Sequence, residues 1–172
     1  MMINIGVDFH DTITYSPEFF LELFLTWPGK KYIVTGTPDS RRDETISQLK
    51  KIGFSEEVYD GLLMGYEYEK SEMTIDHFHR MKKHKLQLIQ ENNISIYFDD
   101  NPFYVEYLRT YGITVFQTIL DEKYLTEFEN KNNFFTCNLQ RGQFNYLGKG
   151  VEKYEKINKD DINVSYIMQK KL

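Results

Sequence analysis

Ile3-Asn4-Ile5-Gly6-Val7-Asp8-Phe9-His10-Asp11-Thr12-Ile13-Thr14 is the stretch from which the fold can be argued. Ile3, Ile5 and Val7 alternate with polar or small residues, and the alternation ends in an acid followed by a polar, turn-like run. Such a pattern describes a buried strand that delivers a carboxylate to its C-terminal edge. Open α/β sheets bind their ligands at that edge. An Asp placed there holds a metal, attacks an electrophile or caps the next helix. Its neighbours decide among the three.

Working outward, Ser16-Pro17-Glu18 starts a helix, with Ser at the N-cap and Pro in the first turn. That helix carries Phe19, Phe20, Leu23, Phe24 and Trp27 and stops at Pro28-Gly29. Tyr32-Ile33-Val34 reads as a short buried strand ending at Thr35-Gly36-Thr37-Pro38. A helix over 39–51 turns Ile46 and Leu49 inward and closes at Gly53. Residues 58–64 read as a third strand, 65–76 as irregular chain, and 77–91 as a helix stopped by Asn92-Asn93. Ile94-Ser95-Ile96-Tyr97-Phe98 is a fourth strand ending in Asp99-Asp100-Asn101-Pro102, followed by a helix over 102–110 and a strand over 113–117.

This alternation is the signature of α/β architecture, a central parallel sheet of Rossmann-like type with helices on both faces. Residues 1–120 form that core. Residues 121–172 read differently, with a helix over 121–130, a hairpin over 134–147 and a further alternation over 162–168. They are expected to form a small α+β appendage packed on the core, not an independent domain.

At 172 residues the chain has the length of one domain with a real core. A net charge of −5 gives no support for general attraction to nucleic acid or to an anionic membrane, although a local basic patch is compatible with it. The single cysteine, Cys137, cannot form an intrachain disulfide, and no nearby base suggests a nucleophile. No apolar run approaches the roughly 18 residues of a membrane span. The opening strand leaves no room for a leader pattern, so a cytoplasmic protein is expected. Oligomeric state is not readable.

Four features fall at or beside the C-terminal strand ends: Asp8, Thr35, Lys85 and the pair Asp99-Asp100. Three carboxylates around one base make poor packing, because like charges repel unless a cation joins them. Hard oxygen ligands of this kind suit Mg²⁺, which commonly binds phosphate as well. Thr35 and Lys85 would hold phosphoryl oxygens, with helix N-termini assisting. A carboxylate beside the metal can attack phosphorus and form an aspartyl-phosphate.

The order Asp, Thr, Lys, Asp-Asp resembles the haloacid dehalogenase superfamily of phosphohydrolases. The first motif is Val7-Asp8-Phe9-His10-Asp11-Thr12-Ile13, the second Ile33-Val34-Thr35-Gly36-Thr37, the third Lys85, and the fourth Ile96-Tyr97-Phe98-Asp99-Asp100-Asn101. The resemblance covers about residues 2–118. It implies an Asp8 nucleophile and a Mg²⁺ held by Asp8, the backbone carbonyl of His10 and the Asp99-Asp100 pair, with Asp100 the direct ligand. It also implies phosphate binding by Thr35, Gly36 and Lys85, and a phosphorylated small molecule or nucleotide as substrate. The stretch from Phe98 to Gly112 is similar to that of polynucleotide 3′-phosphatases and deoxynucleotidases, which would make a nucleotide or a nucleic-acid end the substrate.

Only 26 residues separate Asp8 from Thr35, and a helix takes nearly half of them. No sizeable cap domain fits there, nor between Thr35 and Lys85, and the C-terminal hairpin is a candidate lid. A receiver domain also uses Asp, Thr and Lys around Mg²⁺, but its acidic pair follows the first strand, whereas here it follows the fourth.

The chain departs from the family at two positions. His10 replaces the second acid, which in the family's phosphatases protonates the leaving oxygen and then activates water, and Asp11 stands where a small residue is usual. Losing such an acid/base typically costs roughly 10² to 10⁴ in rate. Histidine titrates near working pH and can take the role. The alternative is a catalytically impaired protein that keeps metal and phosphate binding, and Asp11 is a further substitute for the missing acid.

Other groups have bland readings beside sharper ones. His77, His79 and His84 with Arg80, Lys82 and Lys83 read as a solvated helix face rather than a phosphate-recruiting rim. Arg41-Arg42 read as a surface helix start rather than a phosphate contact, and Asp39 and Ser40 as helix caps. Thirteen Tyr and thirteen Phe read as core rather than as base-stacking surfaces, and no Cys/His spacing suggests zinc.

Overall fold

A computed structural model describes residues 2–69, 75–121 and 123–124 of the chain. In chain order the elements are β1 (Asn4–Val7), an irregular turn (Phe9–Ile13), α1 (Pro17–Thr26), β2 (Lys31–Pro38), a single 3₁₀ turn (Asp39–Arg41) and α2 (Arg42–Lys51). They continue with β3 (Gly61–Gly65), α3 (Ile75–Glu91), β4 (Ile94–Asp99), α4 (Pro102–Arg109) and β5 (Thr114–Gln117). The five strands make one parallel sheet in the order β3-β2-β1-β4-β5. This is the expected Rossmann-like α/β architecture. Apart from Asp121, Lys123 and Tyr124, the proposed appendage, with its 134–147 hairpin and Cys137, lies outside the described residues.

Two apolar clusters cover the two faces of the sheet, as period-2 strands between helices require. One joins Ile5, Val7 and Ile33 to Phe20 and Phe24 of α1 and Leu49 of α2. The other joins Tyr32, Val34 and Tyr97 to Met81 and Ile89 of α3 and Tyr104 and Leu108 of α4. The rings of Phe20, Phe24, Phe54, Phe78, Tyr97 and Tyr104 are buried, so the aromatic excess is largely core; Phe19 is the exception in α1 and faces solvent.

The order places β1 at the centre, flanked by β2 and β4. Val7 pairs with Ile33 on one side and Phe98 on the other. Asp8, the residues following Ile33 and Asp99 are thereby brought to one edge. Close packing at that edge depends on glycine. A Cβ on Gly65 would stand 2.4 Å from the Gly36 carbonyl oxygen, so β3 and β2 approach there only because Gly65 has no side chain.

Several local expectations are corrected. β2 is longer than expected and runs through Thr35 to Pro38, while β3 begins at Gly61 rather than at residue 58. Ser16 occupies the N-cap of α1 without making a side-chain capping bond. Asp39 and Ser40 do not cap either: Asp39 accepts from Arg42, and Ser40 donates to the Glu67 carboxylate through both its N–H and its hydroxyl. A side chain that does cap is Asn101, whose Oδ1 accepts from Phe103 N at 3.0 Å at the start of α4. The breakers act as expected, with positive φ at Gly53, Asn93 and Gly112.

Candidate active site

The edge of β1 ends in Asp8, whose N–H donates to Phe98 O at 2.8 Å and so ties the loop to β4. From the opposite cluster α3 sends in Lys85. Its Nζ donates to Asp8 Oδ1 and to Asp99 Oδ2, both at 2.7 Å, and the side chain is 2% exposed. Asp99 also accepts from Tyr97 OH at 2.9 Å through Oδ2 and from Asn101 N at 2.8 Å through Oδ1. Both its oxygens are therefore committed to protein donors. Asp100 is buried beside it, and Asp8, Asp99 and Asp100 each offer an oxygen within 4.8 Å of the others.

One ammonium faces three acids. Two carboxylate charges at such a separation repel by on the order of 3 kcal/mol at an effective dielectric of about 20. Asp8 and Asp100 respond by holding their protons more tightly. Burial, then repulsion from Asp99 and Asp11, raises Asp8 to about 7 despite Lys85, whose attraction is the second-largest influence and opposes the rise. Burial, then Asp99 and Asp8, raises Asp100 well above the usual carboxylate range. Burial alone would push Lys85 down, but Asp8 and Asp99 overcome it and hold the ammonium above its ordinary value. A divalent cation would supply the missing charge, and three hard carboxylates suit Mg²⁺ in donor type.

The ammonium is further enclosed by rings that sequence reasoning missed. Lys85 Nζ lies 4.6 Å from the centre of the Tyr104 ring and 5.7 Å from that of Tyr97. Burial, then Asp99 and Asp8, raises both phenols, so they remain neutral. The signal was present as an aromatic residue two positions before Asp99 and another two after Pro102, but strand and helix periodicity assigns both to the core.

Thr35 is buried inside β2, and its hydroxyl engages Thr37, 3.1 Å from Thr37 Oγ1 and 3.2 Å from the Thr37 N–H that donates to it. Gly36 is half-buried one residue on. The expectation that Thr35 follows the strand is thus corrected; it shares the sheet edge with Asp8 from within β2.

His10 keeps solvent contact. Crowding by protein, then the Arg41 and Lys85 cations, pushes its imidazole down to about 4. Because its outer edge meets water, the two cations are the firmer cause. The ring is neutral at pH 7, and the same shift makes it a weaker base than an ordinary imidazole. Asp11 has φ 56°, in the left-handed region, and its carboxylate accepts from Tyr124 OH at 2.8 Å.

Of the remaining candidates, Arg41 and Arg42 do start a surface helix, paired with Glu44 and Asp39 respectively. The His-rich turn is the solvated face expected only in part: Arg80 and Lys83 are exposed, whereas the three histidines are buried or half-buried. His77 is 2% exposed, its Nδ1 lies 3.0 Å from Tyr66 OH, and its ring packs 4.2 Å from that of Tyr68. His84 Nε2 lies 3.1 Å from Met64 O, so two of the three histidines fix α3 to the end of β3. Among the described residues no helix is long and apolar enough to cross a membrane.

No protein-family model and no curated protein matches the chain. Two solved structures are similar to it. One is an uncharacterized protein from Corynebacterium glutamicum, 16% identical with a TM-score of 0.45, over 76% of this chain and 94% of the other. The second is the core domain of a candidate phosphoglycolate phosphatase from Streptococcus pneumoniae, 12% identical with a TM-score of 0.44, over 77% of this chain and 98% of that one.

Proposed function

We propose that the chain is a Mg²⁺-dependent phosphomonoester hydrolase of the haloacid dehalogenase type. The observation that carries this reading is the buried bridge of Lys85 between Asp8 and Asp99, with Asp100 in the same cluster. Packing alone gives no reason to bury three acids with one base, whereas binding a cation and a phosphoryl group does.

Asp8 and Asp100 are the carboxylates for the cation, with the His10 carbonyl beside them. Asp99 is the acid that orients Lys85, because both its oxygens are already taken by protein donors. Bound Mg²⁺ would neutralise the phosphoryl oxygens and the acids together. Asp8 attacks phosphorus, forming a P–O bond to its carboxylate as the ester P–O bond breaks and the leaving oxygen takes a proton from solvent. Water then attacks the same phosphorus, returning the Asp8 carboxylate and releasing inorganic phosphate. His10, neutral and open to solvent, is the base for that water, and Lys85, Thr35 and Gly36 hold the phosphoryl oxygens. The substrate is a phosphorylated small molecule, with a nucleotide or a nucleic-acid end as the narrower choice.

The test is phosphate release from a panel of phosphomonoesters, with Mg²⁺ or with EDTA, comparing wild type with Asp8→Asn. Mg²⁺-dependent release abolished by Asp8→Asn is the expected result. Turnover that survives in Asp8→Asn overturns the nucleophile. Mg²⁺ binding without turnover on any ester favours the impaired alternative, with His10 as its cause.

A further inference from the structure

The Phe9–Ile13 turn contains a residue poorly matched to its backbone. Asp11 takes a φ of 56°, where glycine is favoured, and buries its carboxylate to 6% exposure three positions after Asp8. It adds to the repulsion that Asp8 and Asp100 already feel. A side chain in such a place has to be held.

Two bonds hold it, one from each end. The Asp11 N–H donates to Thr14 Oγ1 at 2.9 Å, and Asp11 Oδ1 accepts from Tyr124 OH at 2.8 Å across 113 positions of sequence. Tyr124 is itself fixed. Its N–H donates to Asp121 Oδ1 at 2.8 Å, while Tyr15 OH donates to Asp121 Oδ2 at 3.0 Å. The Tyr15 and Tyr124 rings meet edge to face, 5.0 Å apart. Tyr15, Asp121, Tyr124 and Asp11 thus tie the chain after β5 to the loop that carries Asp8.

We propose that Tyr124 is a positioning residue, whose hydroxyl fixes the buried Asp11 carboxylate outside the Asp8, Asp99 and Asp100 group, so that its charge acts at longer range on a cation bound there. A phenol suits the task because it donates one hydrogen bond without adding charge, whereas a lysine would cancel what Asp11 supplies. The inference rests on the Mg²⁺ reading above. It also makes Asp121 and Tyr124 part of the construction of the site, although they follow β5.

The test compares wild type with Tyr124→Phe, which removes the hydroxyl and keeps the ring against Tyr15, with Asp11→Asn, and with the double variant. Amide hydrogen exchange over residues 9–14 reads the turn, and calorimetry reads Mg²⁺ affinity. In Tyr124→Phe the turn amides should exchange about tenfold faster, with those of Ile33 and Tyr97 unchanged, the scale expected for one lost hydrogen bond. Mg²⁺ affinity should fall about tenfold, as for an outer-shell partner, and adding Tyr124→Phe to Asp11→Asn should weaken it no further. Asp11→Gly suits the backbone and removes the acid, so it should weaken Mg²⁺ binding while the protein stays folded, including where Tyr124→Phe does not.

Unchanged turn exchange in Tyr124→Phe overturns the proposal, because the hydroxyl then holds nothing. Faster exchange with unaltered Mg²⁺ affinity also overturns it, leaving Tyr124 a structural residue. Wild type that binds no Mg²⁺ overturns the parent reading and the role of Asp11 together. Mg²⁺ binding that is intact in wild type and unaffected by Asp11→Gly overturns this proposal alone.

Discussion

Lys85 Nζ lies 2.7 Å from Asp8 Oδ1, a contact between residues 77 positions apart, and both side chains are buried. The same ammonium is the counter-charge to Asp99. Replacing Lys85 by Met therefore leaves a buried group of acids without a cation. Breaking a buried pair from one side costs about 3–5 kcal/mol, and that loss is expected for Lys85→Met at pH 8 without Mg²⁺. At pH 5 Asp8 and Asp100, both raised, take up protons and the loss shrinks. Urea unfolding at the two pH values checks this; an equal loss at both would mean that the acids are not the reason.

The raised acids also set the pH dependence of the wild type. Asp8 moves from 3.8 when unfolded to about 7 when folded, so the folded state binds the extra proton between those values. The stability this gives the cation-free protein is fully present below about pH 4 and is lost as pH rises through about 7. Asp100, raised in the same direction, adds to the trend. Mg²⁺ must displace those protons, so its affinity should increase from pH 6 to pH 8 with proton release. Calorimetry in two buffers of different ionisation enthalpy measures the protons released, and binding with no release at pH 6.5 would contradict the shifts.

Periodicity made the sheet legible. The alternation of Ile3, Ile5 and Val7 and the ring-rich 94–98 run could only be buried strands, and the breakers at Gly53, Asn93 and Gly112 ended their helices where composition said they would. The acids were legible because charges at strand ends have no core role, and Lys85, which lies within α3, through its place in the order of the motifs. What stayed hidden was contact between side chains distant in sequence. Nothing in 77–84 shows that a phenol from Tyr66 will bury His77, and a Tyr at 124 gives no local sign that it will reach Asp11. Caps failed for the same reason. Ser40 has the composition of a cap, but the Glu67 carboxylate, 27 positions away, offers it a charged acceptor instead.

Gly65 tests how tightly the sheet edge is built. A methyl there would stand 2.4 Å from Gly36 O and 3.1 Å from Met81 Cε. Met81 is flexible and can yield, but the Gly36 carbonyl belongs to β2 and cannot. Gly65→Ala should therefore cost about 1–3 kcal/mol as an overpacked site. Because the strain falls one residue from Thr35, phosphate-ester turnover should fall more than stability alone explains. Thermal unfolding and initial rates measured below the transition check both; a stability change near zero would show that β3 moves away freely.

Asp99 and Asp100 are adjacent and chemically alike, yet their substitutions should act with opposite sign. Asp99 anchors Lys85, Tyr97 OH and Asn101 N, so Asp99→Asn weakens a charge-assisted set and should destabilise the cation-free protein by about 1–3 kcal/mol. Burial, then repulsion from Asp99 and Asp8, raises Asp100 well above the usual carboxylate range. Asp100→Asn removes an ionisable acid from a crowded cluster at little change in shape, and should stabilise the cation-free protein at pH 8. The same change deletes a direct ligand, so Mg²⁺ should then add far less stability than it adds to wild type. Unfolding at pH 8 with and without Mg²⁺ separates the two variants. If both destabilise the cation-free protein and both retain the Mg²⁺ effect, neither acid is the ligand, and the metal site has to be sought around Asp8 and Asp11 instead.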